Sequence, residues 1–185
     1  MYLWIGAIFD KNEENKIRKC CKLVNKKFKV SEEAFTLPQH ISLKTSFYTE
    51  NYNEIIEYVK EIMKNQKYIE VELNNIRMLN NSIIWLDVKA NRRLRQLHNF
   101  LNMELEEKFN IQLNGFDGDK FRFHSTLFQV SQYNERIKDL KEALEKTLRL
   151  PINLQLREVD FGISESGGVG TYKVCDKLLL KRLKK

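Results

Sequence analysis

Two passages of this 185-residue chain carry the same order of segments, strand, helix, strand, helix, strand, so any fold must accommodate an approximate internal duplication. YLWIGAIF opens the first passage as a buried strand. Behind Asp10, a natural N-cap, Ile17, Cys20, Cys21, Val24 and Phe28 recur at helical spacing. After Pro38, QHISLKTSF is short and β-prone; Tyr52, Ile55, Ile56, Val59, Ile62 and Met63 then form one helical stripe, and YIEVELNNIRML alternates like a strand. The pattern restarts with SIIWLDV. A helix marked by Leu94, Leu97, Leu101, Leu105 and Phe109 follows, then the strand FRFHSTLFQV and a helix carrying Ile137, Leu140, Leu144 and Leu148. Two strand-like runs, INLQLREVDFGI and GTYKVCDKLLL, close the chain across the hairpin signal SESGGVG. The expectation is a single domain over 1–185 whose lobes are repeat units 1–80 and 81–185, with Trp4 and Trp85 near the middle of the two opening strands.

Each unit places a histidine on its second strand, in His40-Ile41-Ser42-Leu43 and in His124-Ser125-Thr126-Leu127. With 14 Ser plus Thr, 23 Leu and three His in the chain, chance produces such a pair of His-x-(Ser/Thr)-Leu motifs about 3 times in 10,000. Side chains alternate along a strand, so each motif presents one imidazole and one hydroxyl on one side, about 6.7 Å apart along the backbone. Ile41, Leu43 and Leu127 face the other way and can pack under helices. The third histidine, His98, lies on a helix with Phe100 two residues on, and a structural or surface role is expected for it.

Two imidazoles, two hydroxyls and no carboxylate or cysteine cluster with metal-ligand spacing point to acid–base attack on a phosphodiester without a metal. At an ordinary histidine pKa of about 6.5, roughly one quarter of each imidazole is charged at pH 7, so in roughly a fifth of molecules a chosen histidine is neutral while the other is charged. The neutral one would take the proton of an attacking water or 2′-hydroxyl and the charged one would protonate the leaving oxygen. Ser42 and Thr126 would hold the non-bridging phosphate oxygens.

With these motifs the chain resembles the 2H phosphoesterase superfamily, which includes bacterial 2′,5′ RNA ligase and cyclic nucleotide phosphodiesterase proteins. The resemblance covers the whole chain, from the opening strand through PQHISLKTSF and FRFHSTLFQV to a closing hairpin in which Ser164, Gly170 and Tyr172 look like the family's Ser, Gly and Tyr. It implies an α+β fold, bilobal, with two antiparallel sheets flanking a central groove and helices on the outside. It also implies metal-independent opening of 2′,3′-cyclic phosphates or handling of 2′,5′ linkages, with His40 and His124 catalytic, Ser42 and Thr126 phosphate-binding, and no cofactor. The chain departs from many RNA ligase-type members in carrying Gln129 where they have a basic residue. Strand parity puts Gln129 with Leu127, away from Thr126, and puts Arg122 and Phe128 on the face of His124 and Lys44 on that of His40. Lys44 and Arg122 are therefore candidate phosphate contacts, and Tyr172 a candidate for stacking on a base.

The balance of 32 Lys and Arg over 25 Asp and Glu, +7 in all, favours a polyanionic partner, RNA or a nucleotide ahead of a membrane surface. The basic stretch NRRLRQ reads as a solvated helix face, and KLLLKRLKK as a strand followed by a solvated tail. Tyr2 to Phe9 lacks a basic flank and falls far short of the ~20 residues that span a bilayer, so neither a signal peptide nor a membrane helix is expected. Cys20, Cys21 and Cys175 read as small buried thiols of a reducing, cytoplasmic setting. A monomer is expected. The alternatives are an RNA-binding module without turnover, a hydrolase of cyclic or 2′,5′-linked oligonucleotide signals, and a non-nucleotide interaction domain, which would leave the paired motifs unexplained.

Overall fold

In a computed structural model, which describes residues 1–30, 32–115, 117–130 and 136–182, Asp10 caps the first helix as its sequence requires. Its carboxylate accepts from the Asn12 N–H at 2.9 Å, Glu13 and Glu14 fill the first turn, and Lys29 ends the helix in the left-handed conformation. The chain runs through β1 (Tyr2–Ile8), α1 (Lys11–Phe28), β2 (His40–Tyr48), α2 (Tyr52–Met63), β3 (Ile69–Leu79) and β4 (Ile83–Val88). It continues through α3 (Arg92–Phe109), β5 (His124–Gln129), α4 (Arg136–Thr147), β6 (Ile152–Leu156), β7 (Glu158–Ser164) and β8 (Lys173–Leu179).

The strands form two four-stranded antiparallel sheets, in the orders β2-β1-β7-β8 and β5-β4-β3-β6. The fold is thus α+β and duplicated. By position β1 corresponds to β4, β2 to β5 and β7 to β3, so the halves of the sequence and the sheets do not coincide. β3 leaves residues 1–80 to pair with β4, and β7 leaves residues 81–185 to pair with β1. Tight turns explain half of this exchange. Asn80 and Asn81, at φ 49° and 51°, make the reverse turn that sends β3 straight back as β4, and the Ser82 N–H reaches the Leu79 carbonyl at 3.0 Å.

Helices cover one face of the sheets, with α1 packed on α4, α3 on β2 and α4 on β3. Leu3, Ile5, Ala7, Ile41, Leu43, Leu86 and Leu127 are fully buried in the core this makes. Two expectations change in detail. INLQLREVDFGI is two strands broken at Arg157, β6 in one sheet and β7 in the other. FRFHSTLFQV pairs only from His124; Phe121 and Phe123 instead close on the buried ring of His98, with centroids at 4.3 and 5.5 Å. All three cysteines are free, but of the buried thiols expected only Cys21 is buried: Cys20 is half-buried and Cys175 is exposed on β8. Of the closing tail, residues 183–185 lie outside the described residues. No described helix is long and apolar enough to cross a membrane.

Candidate active site

Both motif strands interrupt their pairing at the same place. Gly6 pairs with Ser42 and Ile5 with Lys44, leaving Leu43 as an extra residue; Trp85 pairs with Thr126 and Ile84 with Phe128, leaving Leu127 extra. Such a bulge reverses which side later residues face. His40, Ser42 and, past the bulge, Thr45 therefore line one cleft together with His124, Thr126 and Gln129. The buried N–H and C=O of a bulge need partners. His98 supplies one, donating its Nδ1–H to the Leu43 carbonyl at 2.8 Å and accepting from the Gly118 N–H at 3.0 Å. This is the structural role expected of it.

The bulges correct three parity expectations. Lys44 does not reach the cleft: it is buried, its ammonium 2.5 Å from Asp117, whose carboxylate also accepts from Thr45 Oγ1 at 2.9 Å and from the Asn114 N–H at 3.2 Å. Phe128 is likewise buried, against Phe35 at 5.3 Å. Gln129, expected to face away from Thr126, lines the cleft. Arg122 is exposed and its side chain lies outside the cleft wall, in a neighbouring pocket.

Each imidazole is oriented by the same device. His40 Nδ1 lies 2.7 Å from the Pro38 carbonyl and His124 Nδ1 2.8 Å from the Arg122 carbonyl, in each case two residues upstream. A carbonyl only accepts, so Nδ1 carries the hydrogen and Nε2 is left for the cleft. Each ring also rests on a tryptophan, Trp4 at 4.4 Å from His40 and Trp85 at 5.0 Å from His124. The Trp4 Nε1–H donates to Ser42 Oγ at 3.2 Å, while Trp85 donates to Asp87 at 2.8 Å. Trp4 can lie flat only because Gly6 lacks a side chain: a Cβ there would stand 2.1 Å from its Cζ2. The sequence sets each tryptophan at a similar separation before its histidine, but the ring contacts become visible only once the register is known.

Burial pushes the His40 imidazole down to about 4, helped by the neighbouring His124 and Arg18 and resisted by the Pro38 carbonyl. Burial lowers His124 as well, against the Arg122 carbonyl and the charge of Asp87. Both shifts favour the neutral ring in the free protein, and the mixed charge state expected from ordinary values is correspondingly rarer. Both rings line the same cleft.

The cleft has a volume of about 430 Å³, in the range of small-ligand sites. Its far wall is the loop between β7 and β8, with Gly168, Gly170 and Tyr172 facing in. Tyr172 hydrogen-bonds Ser46. Ser164 stays beneath, its Oγ accepting from the Gly167 N–H at 2.9 Å, so it shapes the loop without lining the cleft. Gln39 and Ser125, missed in the sequence although they flank the two histidines, join the two walls: the Gln39 side-chain amide donates to Ser125 Oγ at 2.6 Å and to the Thr126 carbonyl at 2.8 Å. Among the described residues no three His, Cys, Asp or Glu side chains gather as a metal site.

A family model described as the 2'-5' RNA ligase superfamily matches residues 16–168. Among solved structures, TT0787 of Thermus thermophilus is similar at 15% identity and a TM-score of 0.68, over 97% of this chain and 98% of that one. E. coli LigT complexed with 3'-AMP is similar at 16% identity and 0.59, over 96% and 97%. Kluyveromyces marxianus Usb1 is similar at 17% identity and 0.52, over 97% and 98%. No curated protein sequence matches significantly.

Proposed function

The chain belongs to the 2'-5' RNA ligase superfamily, within the 2H phosphoesterases, and on that premise we propose that it is a metal-independent phosphodiesterase of RNA termini or small nucleotides. Its reaction would be opening of a 2′,3′-cyclic phosphate or hydrolysis of a 2′,5′ linkage. The observation that carries this reading is the matched pair of imidazoles, each with Nδ1–H tied to the carbonyl two residues upstream and Nε2 left to the cleft that Ser42 and Thr126 also line. The similar E. coli LigT has been solved complexed with 3'-AMP, which supports a nucleotide ligand for this chain.

In this reading water attacks phosphorus as one imidazole Nε2 takes its proton, and the P–O bond to the leaving sugar oxygen breaks as the other imidazole supplies a proton there. His40, held neutral more strongly, is the base. His124, with Asp87 nearby, is the acid, charged when a phosphate anion enters beside it. Ser42 accepts from Trp4 and keeps its own hydrogen for a phosphate oxygen; Thr126 occupies the equivalent position on the other wall. Hydrolysis is favoured over ligation because water is present at ~55 M while a second RNA end must be held separately.

The test is turnover of 2′,3′-cyclic nucleotides, of RNA ending in a cyclic phosphate and of 2′,5′-linked oligoadenylate, in EDTA, beside His40→Ala and His124→Ala. Each substitution is expected to lower kcat by ~10²–10⁴. Activity that needs a divalent ion, or that survives both substitutions, would sink the reading; binding without turnover would make the protein an RNA-binding module.

A further inference from the structure

Beside the cleft lies a second cavity of about 600 Å³, and Phe121 belongs to the walls of both. Charge is divided sharply between them. Among the described residues the cleft is lined by no Lys or Arg and by one carboxylate, Glu33, whereas the second cavity is lined by Arg92, Arg95, Lys120 and Arg122 and by no Asp or Glu. Arg95 is fixed in its wall: its guanidinium lies 4.6 Å over the Phe123 ring, Nη1 donates to the Gly118 carbonyl at 2.6 Å, and Nη2 donates to the Phe121 carbonyl. Arg92, Lys120 and Arg122 are exposed at the rim. The first turn of α3, which Arg92 opens, holds no acidic residue, so the peptide dipoles of that helix end add to the positive potential.

A substrate with a single phosphate would use the cleft and leave these four cations idle. A chain of phosphates would use both cavities, since the cleft has hydroxyls and imidazoles for the reacting group but no fixed cation for its neighbours. Arg122 is also two residues from His124, and its carbonyl lies 2.8 Å from the His124 Nδ1, so the cationic rim begins beside the acid–base pair. We propose that this second cavity seats the flanking phosphates of a single-stranded RNA whose reacting phosphate lies between His40 and His124. The inference rests on the catalytic reading above and extends it, naming an RNA chain as the substrate in place of a free nucleotide.

The test is equilibrium binding of a short labelled single-stranded RNA, followed by fluorescence anisotropy over a range of salt, for the wild type and for Arg92→Ala/Lys120→Ala. Both side chains are exposed, so the variant should keep its circular dichroism spectrum. Each phosphate contact on a single strand contributes about 0.7 to the slope of log affinity against log salt. The wild type should therefore show a steep slope and the variant one shallower by about 1.4, with at least about tenfold weaker RNA binding at low salt. Adenosine monophosphate should show a shallower slope than RNA on the wild type. An unchanged slope in the variant, or equal slopes for RNA and the mononucleotide, overturns the inference. If the slopes behave as expected but no phosphodiester is turned over, the RNA seat is supported and the catalytic reading alone fails; turnover of cyclic mononucleotides with equal slopes is the converse.

Discussion

The side-chain amide of Gln39 donates to Ser125 Oγ at 2.6 Å, so the residue before one cleft histidine is bonded to the residue after the other. Both side chains are buried, and the Gln39 backbone is itself held, its N–H by Glu14 at 2.9 Å and its carbonyl by the Phe9 N–H at 3.0 Å. The separation of the two imidazoles is therefore set by a short run of buried hydrogen bonds.

Gln39→Leu removes that join and leaves the Ser125 hydroxyl buried without its donor. Stability should fall by about 1–3 kcal/mol, and kcat by up to ~10²-fold through loosened geometry, with KM changed much less. Urea unfolding and steady-state kinetics on one preparation check both. A kcat equal to wild type would show that the histidines hold their spacing without Gln39.

Gly6→Ala would drive a methyl group into the Trp4 ring, on which His40 rests. We expect a loss of about 1–3 kcal/mol in stability together with reduced kcat. Gly115→Ala, where a Cβ would meet nothing within 4 Å, is the control and should leave both unchanged.

The pH dependence of kcat/KM should be bell-shaped and centred on the acid side of neutrality. The base must be neutral, so activity falls as pH drops through the His40 value of about 4. The acid must be charged, so activity falls again as pH rises through the His124 value, which lies below the ordinary 6.5. Asp87 raises His124, so Asp87→Asn should move the alkaline limb to lower pH and leave the acid limb in place. NMR titration of the imidazole protons gives an independent reading.

Lys44→Met should act on stability and not on phosphate binding. It strands Asp117 as a buried charge without its cation, at a cost of about 3–5 kcal/mol, and Lys44→Met/Asp117→Leu should recover much of the loss. Chemical denaturation of the three proteins decides it.

The α+β duplication, the element order and the two histidine motifs are legible in the sequence because they depend on local periodicity and on residue types rare enough to count. Strand parity misplaces Lys44, Phe128 and Gln129 for one reason: alternation is a rule for unbroken strands, and both motif strands bulge one residue after the hydroxyl. A bulge at Leu43 or Leu127 has no local signature, since each is an ordinary core leucine and the irregularity exists only relative to a partner strand. The exchange of β3 and β7 between sheets is invisible for the same reason. Gln39 and Ser125 read as ordinary polar neighbours, and only the meeting of the two walls gives them a joint task. The NRRLRQ stretch is a solvated face in part, as its composition indicates, but tertiary placement sets Arg92 and Arg95 beside the cleft.

Because residues 1–80 lend β3 to the other half's sheet and receive β7 and β8 in return, cutting the backbone at Asn80 and Asn81 would not release two autonomous modules. Either fragment would be left with an orphaned sheet edge that only the other can cover, so the pieces should find each other and rebuild the whole by complementation.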